Sequence, residues 1–145
     1  MQEQLRLRQI EVVLDLCPED PIVTGNAIQL EQVFINLITN ARDAMADTPR
    51  KVLSISCTVA KGMVNLSFGD TGTGIPEGLE QRIFDPFFTT KEVGQGTGLG
   101  LSITYGIIQD HQGTIWVENH PGTGATFFIQ LPLGEAETKG STILL

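Results

Sequence analysis

Basic residues are scarce in this sequence. Nine Lys and Arg stand against seventeen Asp and Glu, and the net charge is −8 over 145 residues. With no cluster of Lys and Arg, a nucleic-acid footprint is not expected. A bound polyphosphate stays open, because backbone N–H groups and a metal can hold phosphates without a basic surface. Long apolar runs are absent too. The longest fall far short of the roughly 20 residues a membrane span needs, so this domain is expected to make no direct membrane contact. No basic stretch followed by an apolar segment opens the chain, which leaves secretion without support. Cysteine is limited to Cys17 and Cys57, with no C-x-x-C, and histidine to His111 and His120, so no zinc site is expected. A reducing cytoplasm is the simplest compartment. The apolar content of 41% suits a globular chain of one-domain length. Glycine is plentiful, at 16 residues, and residues 69–78 and 92–100 are rich in it.

Residues 10–16, IEVVLDL, read as a strand, which Pro18 and Pro21 then interrupt. Asn26 is placed to cap a helix, with Gln29 closing a capping box. Leu30, Val33, Phe34, Leu37, Ile38, Ala41, Ala44 and Met45 form its apolar stripe, and Pro49 marks its end. Two alternating runs follow. Leu53, Ile55, Cys57 and Val59 point one way in the first, and Val64, Leu66 and Phe68 in the second, with Lys61-Gly62 as a hairpin turn. A second helix is expected from about Leu99 to His111. Strands near 114–119 and 125–131 are joined at Pro121-Gly122-Thr123-Gly124. The pattern predicts a two-layer α/β sandwich, with helices on one face of a mixed, largely antiparallel sheet. Residues 1–133 would form this domain. Residues 134–145 read as a polar linker ending in STILL, which begins to resemble another strand.

Three constellations carry chemistry. Asp70-Thr71-Gly72-Thr73-Gly74-Ile75 follows a strand directly. A carboxylate there can accept a hydrogen bond from a buried amine such as adenine's, and the glycines let a flat ring approach the backbone. Taken alone, the same residues make an ordinary tight turn. Gly94-Gln95-Gly96-Thr97-Gly98-Leu99-Gly100-Leu101 leads into the second helix. Alternate glycines free the backbone to wrap a polyphosphate, with the helix N-terminus aimed at it. G-x-G-x-x-G fails in every register and no P-loop pattern occurs, while composition alone also allows a linker. The third lies on the first helix, where Gln29, Gln32, Asn36, Asn40, Asp43 and Asp47 share one stripe. A solvated face explains that stripe well. Yet Asn36 and Asn40 are poor mid-helix residues, and an amide oxygen facing a cleft can help bind Mg²⁺.

In this order the three constellations resemble the GHKL family of ATPases and kinases, and within it the histidine kinases. The likeness covers about residues 10–133. Residues 32–45, QVFINLITNARDAM, resemble the N box. DTGTGI at 70–75 resembles the first glycine box, with Thr71 where Asn is more usual. IFDPFFTTK at 83–91 resembles the phenylalanine box, GQGTGLGL at 94–101 the second glycine box, and GTGATF at 122–127 the last. The phenylalanine box is the one that points to histidine kinases.

This resemblance implies the Bergerat ATP-binding fold, with ATP and Mg²⁺ as cofactors. It implies that Asp70 binds the adenine amine, that Gly72 and Gly74 admit the ring, and that Ile75 lines the same pocket. Asn40 would bind Mg²⁺, with Asp43 close by and Asn36 one turn earlier facing the phosphates. Gly96, Thr97, Gly98, Leu99, Gly100 and Leu101 would form the ATP lid. Arg82 and Lys91 would reach the terminal phosphate, and Thr126 would support the adenine pocket through a water. Phe84, Phe87 and Phe88 would anchor the lid or meet partner helices, unless they simply pack in the core.

Hydrolysing members of the family carry Glu at the position of Asn36. Asn cannot serve as a general base at useful pH. The resemblance therefore implies transfer of the γ-phosphoryl group to a histidine on a separate helical dimerisation domain, in two-component signalling with a response regulator receiver domain. His111 and His120 fit surface or cap roles better than the acceptor role. The chain is thus expected to bind ATP without phosphorylating itself. A cytoplasmic location follows the same resemblance, and STILL hints at the start of a receiver domain. The rival readings are a GHKL ATPase, a serine kinase of the anti-sigma type, and a catalytically silent nucleotide-binding module.

Overall fold

The computed structural model describes residues 9–16, 22–76, 78–80, 82–85, 100–120, 122–134 and 142–144. Lys61 and Gly62 take positive φ, 54° and 75°. Two such residues give a hairpin loop whose twist matches its strands. They join β3 (Val52–Ala60) to β4 (Met63–Asp70), with Ile55 opposite Phe68 and Ala60 opposite Met63. β5 (Thr114–His120) pairs antiparallel with β6 (Gly124–Pro132), and β6 lies beside β4. At the far edge β1 (Glu11–Asp15) runs parallel to β3, so the sheet order is β1-β3-β4-β6-β5. A parallel pair needs a crossover. Here the crossover contains the helix α1 (Ala27–Ala44).

Both α1 and α2 (Gly100–Asp110) pack on the same face of this sheet. The expected two-layer architecture is therefore present. Leu30, Val33 and Leu37 of α1 are buried with Leu66 and Phe68 of β4, Ile107 and Ile108 of α2, and Ile129 and Leu131 of β6. Each such side chain contributes roughly 1.5–3 kcal/mol on burial. A smaller cluster of Ile10, Ala41, Met45 and Leu53 closes the β1 end. On the opposite face of the sheet Ser56 and Ser67 share a hydrogen bond across the β3–β4 ladder. Trp116 and Phe128 stack there, their ring centroids 5.4 Å apart.

Two features depart from the sequence reading. The capping box at α1 is only half formed. Asn26 Oδ1 accepts from the Gln29 N–H at 3.1 Å, but the Asn26 N–H donates to His111 Nε2 at 3.0 Å. His111 Nδ1 then donates to the Ile107 carbonyl at 2.8 Å, which defines the neutral tautomer. A Cβ at Gly25 would fall 2.2 Å from His111 Cδ2, so glycine is what lets the ring reach the helix end. The second feature is a small separate sheet. β2 (Ile22–Thr24) pairs antiparallel with β7 (Thr142–Leu144), placing Val23 opposite Ile143. Among the described residues, no helix is long and apolar enough to cross a membrane.

Candidate functional site

Helix α1 organises the site. Asn36, Asn40 and Ala44 recur every four residues and so share one stripe. From Asn36 to Ala44 the stripe runs about 12 Å along the axis. At its C-terminal end the Ala44 carbonyl accepts the Thr73 N–H at 3.2 Å. A Cβ on Gly72 would lie 2.5 Å from that same oxygen. Gly72 is therefore what allows the loop after β4 to seat against α1. At the N-terminal end, Asn36 Nδ2 donates to the Gly100 carbonyl and to Thr104 Oγ1, both at 3.1 Å. The loop after β4 and the first turn of α2 are thus spanned by one helix, with half-buried Asn40 between them.

Asp70 ends β4 and points to the helix side of the sheet, on the alternation that buries Phe68 and Leu66. Its carboxylate accepts the Gly72 N–H at 2.9 Å and the Ala125 N–H. Burial raises its pKa above the ordinary carboxylate value, and the two backbone bonds only partly oppose this. An ionised carboxylate has room for further donors. The site therefore holds a desolvated acceptor suited to an amine N–H. Gly124, at φ 132°, packs beneath it; a Cβ there would lie 2.0 Å from the Asp70 carbonyl oxygen.

The loop carrying Gly72 and Gly74 is held by Asn119, which the sequence reading passed over, and by Thr71. Asn119 Oδ1 accepts the Ile75 N–H and its Nδ2 donates to the Ile75 carbonyl, each at 2.7 Å. Asn119 thereby pairs with the loop as a neighbouring strand would. Its Nδ2 also reaches Glu80 Oε1 at 3.0 Å, and this bond lowers the pKa of Glu80. Thr71 Oγ1 donates to the Arg50 carbonyl at 2.7 Å and accepts the Val52 N–H at 2.9 Å. That accounts for a hydroxyl residue at this position: it fastens the loop to the start of β3.

The structure brings Asp70, Gly72, Gly74 and Ile75 together at one end of the α1 stripe, and Asn36 and Gly100 at the other. Ile75 and Leu101 pack against the main core. Asp43 is engaged by Arg42 at 3.3 Å. Arg82 is exposed on the turn before Asp85. Phe84 packs on Tyr105 and Phe127, which supports a core role for it. Lys91, Gly96, Thr97, Gly98, Leu99, Phe87 and Phe88 lie outside the described residues.

Thr126 is a correction. It is paired with Gly69, and its side chain lies on the face of the sheet opposite Asp70. The neighbouring Ala125 supplies the N–H to Asp70 instead. Strand alternation along GATFF could have shown this from sequence. Asn119 and Thr104 carried no comparable signal, because each looks like an ordinary strand or helix residue.

Comparison with known proteins accords with this geometry. Residues 25–135 match the model of the histidine kinase-, DNA gyrase B- and HSP90-like ATPase family. The two-component sensor PprA of Pseudomonas aeruginosa is 42% identical over 144 residues, which is 95% of this chain and 15% of PprA. The chain therefore spans only a small part of that relative. The crystallised catalytic domain of histidine kinase ThkA is 39% identical, with a TM-score of 0.78, covering 90% of this chain and 84% of that one. ThkA in complex with the response regulator protein TrrA is 33% identical with a TM-score of 0.75, covering 94% and 38%. The chain belongs to the histidine kinase-, DNA gyrase B- and HSP90-like ATPase family, as an ATP-binding catalytic domain of the histidine kinase kind.

Proposed function

We propose that this domain binds ATP along the α1 stripe and passes the γ-phosphoryl group to a histidine on a separate helical domain of a sensor kinase. The observation that carries the reading is the juxtaposition on α1. A desolvated carboxylate and a glycine-opened loop meet one end, Asn36 bonds the first turn of α2 at the other, and half-buried Asn40 lies between them on the same stripe. Asp70 would accept the adenine amine. Gly72 and Gly74 would leave the ring flat against backbone. Asn40 would bind the Mg²⁺ that accompanies the phosphates.

The donor set fits Mg²⁺. This hard cation takes oxygen ligands and usually binds through one or two protein groups plus substrate phosphates. The Asn40 amide oxygen is such a group. When bound, the metal would neutralise charge on the phosphates. Lys91 and the residues of 96–101 are proposed at the phosphate end on sequence alone.

The amide at Asn36 favours transfer over hydrolysis, because it cannot take a proton from water. The TrrA complex of ThkA supports a response regulator as downstream partner. The test is to mix the domain with γ-labelled ATP, Mg²⁺ and a phosphoacceptor domain from a related sensor kinase. Label should appear on the acceptor and vanish when its histidine is replaced. Steady phosphate release without acceptor labelling would favour an ATPase and overturn the reading.

A further inference from the structure

Thr104 is the one fully buried polar side chain among the described residues, at 0% exposure. No motif assigns it a task. Its hydroxyl donates to the Gly100 carbonyl at 2.8 Å, so its single hydrogen is spent there. Its oxygen accepts from Asn36 Nδ2 at 3.1 Å. The second hydrogen of that Nδ2 goes to the Gly100 carbonyl, also at 3.1 Å. On the other side, Asn36 Oδ1 accepts from Gln32 Nε2 at 2.8 Å.

Both N–H bonds of the Asn36 amide are therefore committed to the first turn of α2. Turning the amide over would set Oδ1 against the Gly100 carbonyl, acceptor facing acceptor. Gln32 could rotate its own amide to follow, but a backbone carbonyl cannot. The Gly100 carbonyl thus sets which way Asn36 faces, and the Thr104 hydroxyl, donating to that carbonyl and accepting from the same amide, holds the amide against it. Only Oδ1, with one lone pair left, remains for a ligand. A bare phosphate oxygen would be repelled by it. A divalent cation or one of its bound waters would be attracted.

We propose that Thr104 is a positioning residue which orients the Asn36 amide, so that Asn36 serves the cation accompanying ATP and not the phosphates directly. This rests on the nucleotide-binding reading above. It revises the expectation that Asn36 faces the phosphates.

The experiment is a calorimetric titration of ATP into wild type, Thr104→Val and Thr104→Ser, each with Mg²⁺ and with EDTA, and of adenosine into the same proteins. Val keeps the shape of Thr and removes the hydroxyl; Ser keeps the hydroxyl. Losing one hydrogen bond of this kind should weaken Mg-ATP binding by roughly 2- to 13-fold in Thr104→Val. Metal-free ATP and adenosine should bind as in wild type, and Thr104→Ser should restore the Mg²⁺-dependent part. If Thr104→Val fails to fold, Thr104→Ala takes its place with the same expectation. Equal losses with Mg²⁺, with EDTA and with adenosine would reduce Thr104 to a structural residue. An unchanged Mg-ATP affinity would overturn the proposal as well. If folded wild type binds no nucleotide at all, the functional reading falls and this inference with it.

Discussion

Replacing Asp70 by Asn should separate the stability of the domain from its affinity for nucleotide. The carboxyl is held by the Gly72 and Ala125 N–H groups, yet its pKa is still raised above the ordinary 3.8, because desolvation outweighs both bonds. The sign matters. A carboxyl with a raised folded-state pKa contributes stability that is complete below the unfolded value and lost as pH rises through the folded value. Wherever it is ionised, Asp70 is therefore a burden on the free domain. Asp70→Asn removes that burden and weakens one backbone bond. The two effects oppose each other, and unfolding free energy should stay within about 1 kcal/mol of wild type.

Adenine sees only the loss. A hydrogen bond to a charged acceptor is worth about 1.5–3 kcal/mol, so Mg-ATP affinity should fall roughly 10- to 150-fold. Calorimetric titration and thermal unfolding on the same samples measure both quantities. Wild-type affinity should also fall as pH drops through the raised pKa, a dependence that Asp70→Asn should lack. An affinity unchanged by the substitution would refute the placement of adenine. A loss of affinity matched by a loss of folded protein would refute the separation.

Other perturbations test other parts of the argument. Asn119→Asp keeps the shape but loses both donated bonds and sets a second carboxylate beside Glu80. Nucleotide affinity should fall several-fold, with faster amide exchange at Ile75 read by NMR. Leu37→Ala empties a site only 1% exposed and should cost about 2–5 kcal/mol in denaturant unfolding. His111→Leu would leave the exposed Asn26 N–H to water, costing about 0.5–1.5 kcal/mol and fraying the start of α1 in exchange measurements. An unaltered unfolding midpoint in either variant would count against the packing described here.

The strongly periodic parts of the fold were legible in the sequence. The Leu30–Met45 stripe, the Lys61-Gly62 turn and the alternation of Val64, Leu66 and Phe68 each state a local rule that the tertiary structure obeys. Asp70 and the glycines were legible for another reason, since a carboxylate at a strand end before Gly-x-Gly carries its chemistry locally. What stayed hidden depends on distant partners. β2 has three residues and two preceding prolines, too little for any period to show. The second half of the α1 cap comes from His111, 85 residues away. The roles of Asn119 and Thr104 exist only once β5 and α2 meet the loop and the helix they serve. Thr126 received its role from the resemblance of GTGATF to the last glycine box, whereas strand alternation puts its side chain on the other face of the sheet.

The glycines around Asp70 also bear on how such a site can change over generations. Added side-chain atoms at Gly72, Gly74 and Gly124 would strike the carbonyl oxygens of Ala44, His120 and Asp70. A collision with a side chain can be relieved by shrinking that side chain elsewhere in the gene. A collision with a carbonyl cannot, since every amino acid brings the same carbonyl. A screen for second-site suppressors of Gly124→Ala should therefore recover true revertants at codon 124, while suppressors of Leu37→Ala should arise readily among its neighbours. These glycine positions drift only by moving whole strands, so sequence change will be channelled into the surface around them.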